Sequence, residues 1–329
     1  MPSVTVLIAA RPGQAEVKAV AGGRRLDYPA DRLEIIIARG KQPSVQRNAA
    51  LRAARGELIY FLDDDSVPEP ANLRRATTHF RRPEVKMVGG PNLCPPDAPG
   101  LEHVFALVLS AWLAFGPSRA RYAPVGQLRE TSEKELILCN LVARREALLE
   151  LGGFNEALYP NEENALMDEL QKRGGKLMYD PDLVVYRRPR TSLGSFAWML
   201  LTYGRGRAEQ FRLHPTPGSA LNFVPPLFVA YLAALVAERW LGPLLLVPLA
   251  LYGAAVVGQA AVLRVPARRG GAGGVQVGLG QRVFRRLAMI PLIVLTHVLY
   301  GAGFWRGLFT RLNASARESP PVSLETVAR

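Results

Sequence analysis

Residues 44–68 read SVQRNAALRAARGELIYFLDDDSVP, and the fold follows from how this stretch divides. Ser44 is placed to cap a helix running to about residue 55, with Gly56 to end it. Residues 58–62, LIYFL, form a short unbroken apolar run, which reads as a buried strand. Working outward, residues 4–10 and 33–38 are β-rich runs of the same kind, and 85–89, 136–143 and 183–186 are later ones. Asn161 is placed to cap a helix to residue 173, closed by Gly174-Gly175. Short apolar strands between helices specify an α/β domain with a largely parallel sheet. Ligands of such sheets bind at the carboxyl ends of the strands, so the residues just after each strand are the ones to examine.

After the run 58–62 come Asp63-Asp64-Asp65-Ser66. Three adjacent carboxylates repel one another, and a hard divalent cation that bridges to substrate phosphates is one remedy. A solvated acidic turn is the other reading. The apolar strand in front of the triplet favours a place at the lip of the sheet. Just upstream lies Gln46-Arg47-Asn48, and Arg47 has the fork of donors that clamps a phosphate. An ordinary surface arginine is the alternative there.

The chain has 329 residues, 49% of them hydrophobic, and a formal charge of +13 from 41 Lys+Arg against 28 Asp+Glu. That suffices for a full core and two folding units, and it excludes a disordered, collagenous or disulfide-scaffold protein. Cys94 and Cys139 stand apart without a pairing motif and read as reduced core thiols. Residues 1–11 lack a basic leader, and their apolar run is too short for a signal peptide. No recognition-helix or aromatic RNA-platform pattern accompanies the positive charge, so anionic lipid headgroups explain it better than nucleic acid.

Charge is partitioned along the chain. After residue 210 the only acids are Glu238, Glu318 and Glu325. The runs 220–237, 240–263 and 287–305 carry no formal charge, and each meets the roughly 17–25 residues that a spanning helix needs. The expectation is three transmembrane helices, the first two joined by a tight turn at Glu238-Arg239. Between the second and third lie Arg264, Arg268, Arg269, Arg282, Arg285 and Arg286, which the positive-inside rule puts on the cytoplasmic side with the N-terminal domain. Three full spans would leave Arg306, Arg311 and Arg317 outside, a conflict that a break at Pro291 or at Gly301/Gly303 would remove. The shorter run 104–115 reads as a core or interfacial helix. The expected domains are a catalytic one over 1–212, a membrane one over 213–310 and a tail over 311–329.

Residues 44–68 resemble the nucleotide-sugar half of family 2 glycosyltransferases with a GT-A fold, whose pattern is a short RN helix followed by A-x-G-x-x-x-x-F-L-D-x-D. The resemblance continues at Gly89-Gly90-Pro91, Cys139-Asn140-Leu141 and Arg144-Arg145. It extends through Gly152-Gly153-Phe154-Asn155-Glu156, Asn161-Glu162-Glu163, Tyr186-Arg187 and Tyr203-Gly204-Arg205-Gly206-Arg207. These late motifs, the apolar segments and His297 with Tyr300-Gly301-Ala302-Gly303-Phe304 resemble the membrane-bound exopolysaccharide branch, the succinoglycan-type transferases.

The resemblance implies roles. Asp63 would contact the ribose side of the nucleotide, and Asp65 would ligate Mg²⁺ or Mn²⁺ on the diphosphate. Arg11, Arg39, Arg47, Asn48 and Asp64 would complete the donor site. Asn140, Arg205 and Arg207 would lie on the acceptor side or in a lid, although Arg205-Gly206-Arg207 reads equally as an interfacial anchor. By position Glu163 is the base that deprotonates the acceptor, with Glu162 as rival. Both acids also fit the positive end of a helix dipole. There is one departure. Many relatives carry Asp-Asp-Gly-Ser after the second strand, where an Asp reads the nucleobase, and this chain has Ala38-Arg39-Gly40-Lys41. The implied protein is a metal-dependent inverting glycosyltransferase on the cytoplasmic face of the inner membrane, multi-pass, moving a sugar from a nucleotide-sugar to a lipid-linked or polysaccharide acceptor. The alternatives are a polyprenyl-phosphate monosaccharide synthase and a catalytically idle membrane partner that kept the fold.

Overall fold

The structure, a computed structural model, describes residues 1–158, 160–213, 215, 217–237, 243–263, 278–310 and 321–327. The chain forms two compact units, Met1–Leu93 with Ala120–Arg187 and Leu312–Arg329, and Cys94–Arg119 with Arg188–Arg311. The boundary expected at 212/213 falls inside the second unit.

The strands of the first unit are β1 (Val4–Ala10), β2 (Leu33–Arg39), β3 (Leu58–Asp63), β4 (Val67–Pro68), β5 (Val85–Gly89), β6 (Asn92–Leu93), β7 (Arg129–Thr131), β8 (Leu141–Arg144), β9 (Lys176–Tyr179), β10 (Val185–Tyr186) and β11 (Ser323–Val327). Eight of them form one sheet in the order β11-β2-β1-β3-β8-β5-β9-β7, and β4, β10 and β6 form a small second sheet. The main sheet is mixed. β2, β1 and β3 are parallel neighbours, as are β5 and β9, while β11, β8 and β7 run antiparallel to theirs.

Side chains alternate between two cores, as a strand period of two requires. Leu58, Tyr60 and Leu62 of β3 face one cluster with Val6, Ile8 and Ile35. Ile59 and Phe61 face the other with Leu7, Ile36 and Leu141. Burial on both faces explains why the run 58–62 shows no polar alternation.

Three local readings shift. The first helices are α1 (Lys18–Arg24), α2 (Pro43–Ala53) and α3 (Asn72–His79). In α2, Pro43 sits in the first turn, where its missing N–H costs nothing, so the helix starts one residue before Ser44. Gly56 lies beyond the helix end, against β1. A Cβ there would come 2.4 Å from the Thr5 nitrogen. The strand expected over 136–143 becomes a 3-10 turn, Leu138–Asn140, followed by β8.

The second unit holds the helices Gly100–Leu109, Trp112–Phe115, Leu193–Leu213, Val224–Ala237, Leu246–Val262 and Leu279–Phe309. Among the described residues, one helix is long and apolar enough to cross a membrane, Leu279–Phe309. A further bent pair, Gly100–Leu109 with Trp112–Arg121, turns by 63° at its break. Of the three expected spans, Leu279–Phe309 is the one that the described residues support. The other two runs give helices of 14 and 17 residues, Val224–Ala237 and Leu246–Val262. The second stands at the lower limit of the roughly 17–25 residues of a span, and the first ends where the described residues end. Pro225-Pro226 and Pro248 fall in their first turns, where proline is tolerated best. The turn at Glu238-Arg239, the arginines 264–269 and the tail arginines 311 and 317 lie outside the described residues.

Leu279–Phe309 runs unbroken through Pro291, Gly301 and Gly303. The glycines are packing contacts. A Cβ at Gly303 would meet the Leu201 carbonyl oxygen at 2.2 Å, and one at Gly204 the Tyr300 oxygen at 2.0 Å. Close backbone approach through small residues is how helices associate where the surroundings are as apolar as the side chains.

Candidate active site

The parallel register puts Ala9 opposite Asp63 and Ala10 opposite Arg39, so β1, β2 and β3 end at one edge. Arg11, Arg39 and the acid triplet leave the sheet there. Helix α2 supports this edge with three consecutive buried polar residues, each with its own task. Gln46 Nε2 donates to the carbonyls of Ala10 (2.8 Å) and Ala38 (2.6 Å), tying the ends of β1 and β2 together.

Asn48 holds a loop. Its Nδ2 donates to the Phe154 carbonyl (2.9 Å) and to Glu156 Oε1 (2.9 Å), and its Oδ1 accepts from the Phe154 N–H (2.8 Å). Gly153 beside it has φ +83°, and a Cβ there would lie 2.4 Å from Asn48 Oδ1. Glycine is required on both counts.

Arg47 is the centre of the site. Its Nη1 donates to Glu162 Oε1 at 2.7 Å, its Nη2 lies 3.5 Å from Asp63 Oδ1, and its guanidinium sits 5.9 Å from the Phe154 ring centroid. Arg187 continues the chain of charges, with Nη1 3.1 Å from Asp63 Oδ2 and Nε donating to Asp65 Oδ1 at 2.6 Å. Charges therefore alternate along Glu162, Arg47, Asp63, Arg187 and Asp65.

Glu162 and Glu163 open the helix Glu162–Lys172, behind Asn161 at φ 90°. A non-glycine residue in that region is strained, and Asn tolerates it best. Asn161 occupies the cap position without a side-chain cap bond. Its Oδ1 instead accepts from Asn164 Nδ2 (2.9 Å), which also donates to Glu163 Oε1 (3.3 Å). Arg121 Nη2 anchors Asn164 Oδ1 at 2.5 Å. Glu162 is buried, and its Oε2 has no hydrogen-bond partner among the described residues, whereas Glu163 is half-buried. Burial, reinforced by the charge of Glu163, pushes the Glu162 carboxyl up to about 7 against the pull of Arg47.

The remaining expected residues fall into three groups. Asp64 turns toward the loop after β1, where Gln14 Nε2 donates to its Oδ2 at 2.7 Å. Arg39 donates to the Gln14 carbonyl (2.8 Å) and pairs with Glu325 of β11 (3.2 Å), while Arg11 is exposed at the end of β1. Asn140 is fully buried. Its Oδ1 accepts from Tyr60 Oη (2.9 Å), and its Nδ2 donates to the carbonyls of Leu183 (2.6 Å) and Pro91 (3.3 Å). Those bonds engage the amide within the core, at the turn before β8. Arg205 and Arg207 belong to the second unit, on the helix Leu193–Leu213, where they face Glu209 (3.3 Å) and Gln210 (3.1 Å). Arg187 is a residue the sequence reading left without a role, although the Tyr186-Arg187 motif contained it.

Asp63 and Asp65 are hard oxygen donors at the lip of a sheet. No cluster of three His, Cys, Asp or Glu exists among the described residues to hold a metal alone. Two carboxylates suit a small divalent ion that takes its other ligands from phosphate and water, as Mg²⁺ commonly does. The donor set fits a metal that arrives with a diphosphate.

Residues 1–199 match the family described as glycosyltransferase like family 2. The succinoglycan biosynthesis protein ExoA of Rhizobium meliloti (strain 1021) is 34% identical over 209 residues, covering 62% of this chain and 55% of ExoA. A pre-mycofactocin glycosyltransferase of Mycobacterium tuberculosis (strain CDC 1551 / Oshkosh) is 28% identical over 177 residues, covering 53% of this chain and 36% of that protein. The matches thus span about half or less of these curated relatives' length. Among solved structures, a mannosyltransferase from Pyrobaculum calidifontis in complex with GDP-Man and Mn²⁺ matches with a TM-score of 0.55 at 17% identity, over 94% of this chain and 87% of that one. At that identity the likeness is one of fold.

Proposed function

The chain belongs to the family 2-like glycosyltransferases and has a mixed α/β GT-A-like fold, and from that premise we propose that it transfers a sugar, with inversion, from a nucleotide-sugar donor to a hydroxyl of a lipid-linked or polysaccharide acceptor. The observation that carries the reading is the alternating ion chain from Glu162 through Arg47, Asp63 and Arg187 to Asp65. Its support for the reading is that Asp63 and Asp65, the proposed diphosphate-side pair, and Glu162 of the proposed acceptor-side pair are joined through the guanidinium groups of the buried Arg47 and the partly exposed Arg187.

In this reading Asp63 and Asp65 face the donor diphosphate, with Asp65 the residue that would hold Mg²⁺ or Mn²⁺. When bound, that ion neutralises the charge that builds on the departing nucleoside diphosphate. Glu163 accepts the proton of the attacking hydroxyl, because it is the accessible member of its pair, anchored through Asn164. Glu162, buried and bonded to Arg47, is a positioning residue. Arg47 fixes the distance between base and donor carboxylates.

Membrane association is part of the proposal. Trp198, Leu227, Leu251, Phe284 and Leu287 of the second unit are all exposed, more apolar surface than a solvated helix bundle carries. Leu279–Phe309 carries the exposed Arg282 and Arg286 in its first turns, which suit the cytoplasmic leaflet, the side on which nucleotide sugars are available. An acceptor carried on a lipid is then delivered in the same plane.

The test is a screen of nucleotide sugars for slow hydrolysis by the purified protein, with and without Mn²⁺, which needs no acceptor. Metal-dependent release of one nucleoside diphosphate supports the reading. No release and no binding of any nucleotide sugar would leave a catalytically idle protein.

A further inference from the structure

The run after β2 lacks the acidic pair expected there, yet the structure brings a carboxylate to the same edge from nearly 300 residues away in sequence. β11 pairs antiparallel with β2, Ser323 opposite Arg39 and Glu325 opposite Ile37. Glu325 and Arg39 are diagonal neighbours on one face, a separation that long side chains bridge, and their atoms meet at 3.2 Å. They stand on the rim of a cavity of about 310 Å³. That is the small end of the range of about 300–1,000 Å³ for small-molecule pockets. Val17, Val20, Ile37 and, from β11, Val327 contribute the apolar part of its lining.

Hydrogen bonds through Gln14 link Arg39, in the lining of the cavity, to the acid triplet. Arg39 Nη1 donates to the Gln14 carbonyl, and the Gln14 side chain donates to Asp64. A ligand with its phosphates at Asp63 and Asp65 therefore has this cavity as the next space along the strand edge. A slot with valine and isoleucine in its lining, and with the charged Glu16, Arg24, Arg39 and Glu325 around them, suits a flat heteroaromatic ring whose faces are apolar and whose edge is polar.

We propose that Arg39 and Glu325 read the nucleobase of the donor, so that β11 completes the donor site and sets nucleotide specificity. This rests on the nucleotide-sugar reading above. Two of the five guanidinium N–H donors of Arg39 are engaged by Gln14 and Glu325. An edge that offers a carbonyl to Arg39 and adjacent N–H groups to both oxygens of Glu325 matches the pair. Guanine has that edge, with O6 beside N1–H and the exocyclic amine. Uracil places a second carbonyl where the carboxylate needs a donor, and cytosine and adenine place an unprotonated ring nitrogen there.

The experiment measures affinities of the full chain for GDP, UDP, dTDP, CDP, ADP and inorganic pyrophosphate, all with Mn²⁺. Glu325→Thr removes the carboxylate and keeps a residue at home in strands. Leu324→Ala, on the opposite face of β11, controls for loss of the strand itself. The expected result is GDP preferred about 10-fold or more in the wild type, the worth of one charge-assisted hydrogen bond. Glu325→Thr collapses that preference, leaves pyrophosphate binding unchanged, and is not mimicked by Leu324→Ala. A base preference that survives Glu325→Thr, or falls equally in Leu324→Ala, overturns the proposal, and a wild-type preference for another base overturns the guanine assignment. A wild type that binds no nucleoside diphosphate overturns the donor reading itself, which is a different outcome.

Discussion

Glu162 allows one quantitative prediction about stability. Its carboxyl is buried with one oxygen unpartnered, and its pKa rises from an ordinary 4.5 to about 7. The folded state therefore binds the proton more tightly than the unfolded state does. For such a group stability is fully present below about pH 4.5 and is lost as pH rises to about 7, after which the loss is constant. At about 1.36 kcal/mol per pH unit the total is about 3 kcal/mol. Glu162→Gln cannot ionise and lacks this loss. The stability difference between variant and wild type should therefore grow by about 3 kcal/mol, in favour of the variant, between pH 4.5 and pH 8. For a unit of this size that corresponds to roughly 6–12 °C in melting temperature. Thermal unfolding followed by intrinsic fluorescence at pH 5, 6, 7 and 8 reads it, and titrating groups other than Glu163, whose charge acts on Glu162, cancel because both proteins share them. Parallel melting curves across this range would refute the argument that burial of Glu162 stores strain at neutral pH.

Three further outcomes follow from the same geometry. Asp65→Ala should remove the Mn²⁺ dependence of nucleoside diphosphate binding while leaving the circular dichroism spectrum unchanged, since a half-exposed lip carboxylate supports little packing; retained metal dependence would move the ligand role elsewhere. Glu163→Gln should lower the transfer rate about 10²–10⁴-fold with donor affinity intact, whereas near-normal transfer in both Glu163→Gln and Glu162→Gln would leave the pair as complements of the helix dipole. Gly153→Ala should destabilise by about 1–3 kcal/mol from its backbone conformation alone, with more from the clash at Asn48 Oδ1, and an unchanged denaturation midpoint would show that the Asn48 clamp is dispensable.

The α/β class, five of the strand positions and the edge that carries the acids were legible because each depends on local pattern. An apolar run of five to seven residues bounded by turn residues fits a buried strand, and register then fixes what lies beside its end. The mixed direction of the sheet was not legible, because β8 and β11 enter from distant segments and no local signal encodes their partners. Asn48 and Asn140 show the same limit at the site. Both are buried polar residues that resemble ligands in a sequence, and both spend their amides on backbone carbonyls. Arg187 errs in the other direction, since it follows a two-residue strand in a second, small sheet and reaches Asp63 and Asp65 only through tertiary structure.

Three carboxylates, Glu162, Asp63 and Asp65, share the site with two arginines, and the order of contact matters more than the sum. Asp63 lies between Arg47 and Arg187, so it is compensated on both sides, while Glu162 and Asp65 at the ends each meet one. The two ends differ in solvent. Asp65 is 42% exposed at its side chain and Glu162 is 4% exposed. An exposed end can exchange its partner cheaply, because water stabilises the intermediate arrangement, whereas a buried end cannot, since breaking a buried pair costs about 3–5 kcal/mol. On the proposed reading, Arg187 therefore yields Asp65 when a donor and its cation arrive, and its fork of donors passes to the diphosphate, a geometry that guanidinium matches well. Arg47 stays with Glu162. One end of the ion chain is built to rearrange with the donor and the other to hold still, and the base stands beside the end that holds still.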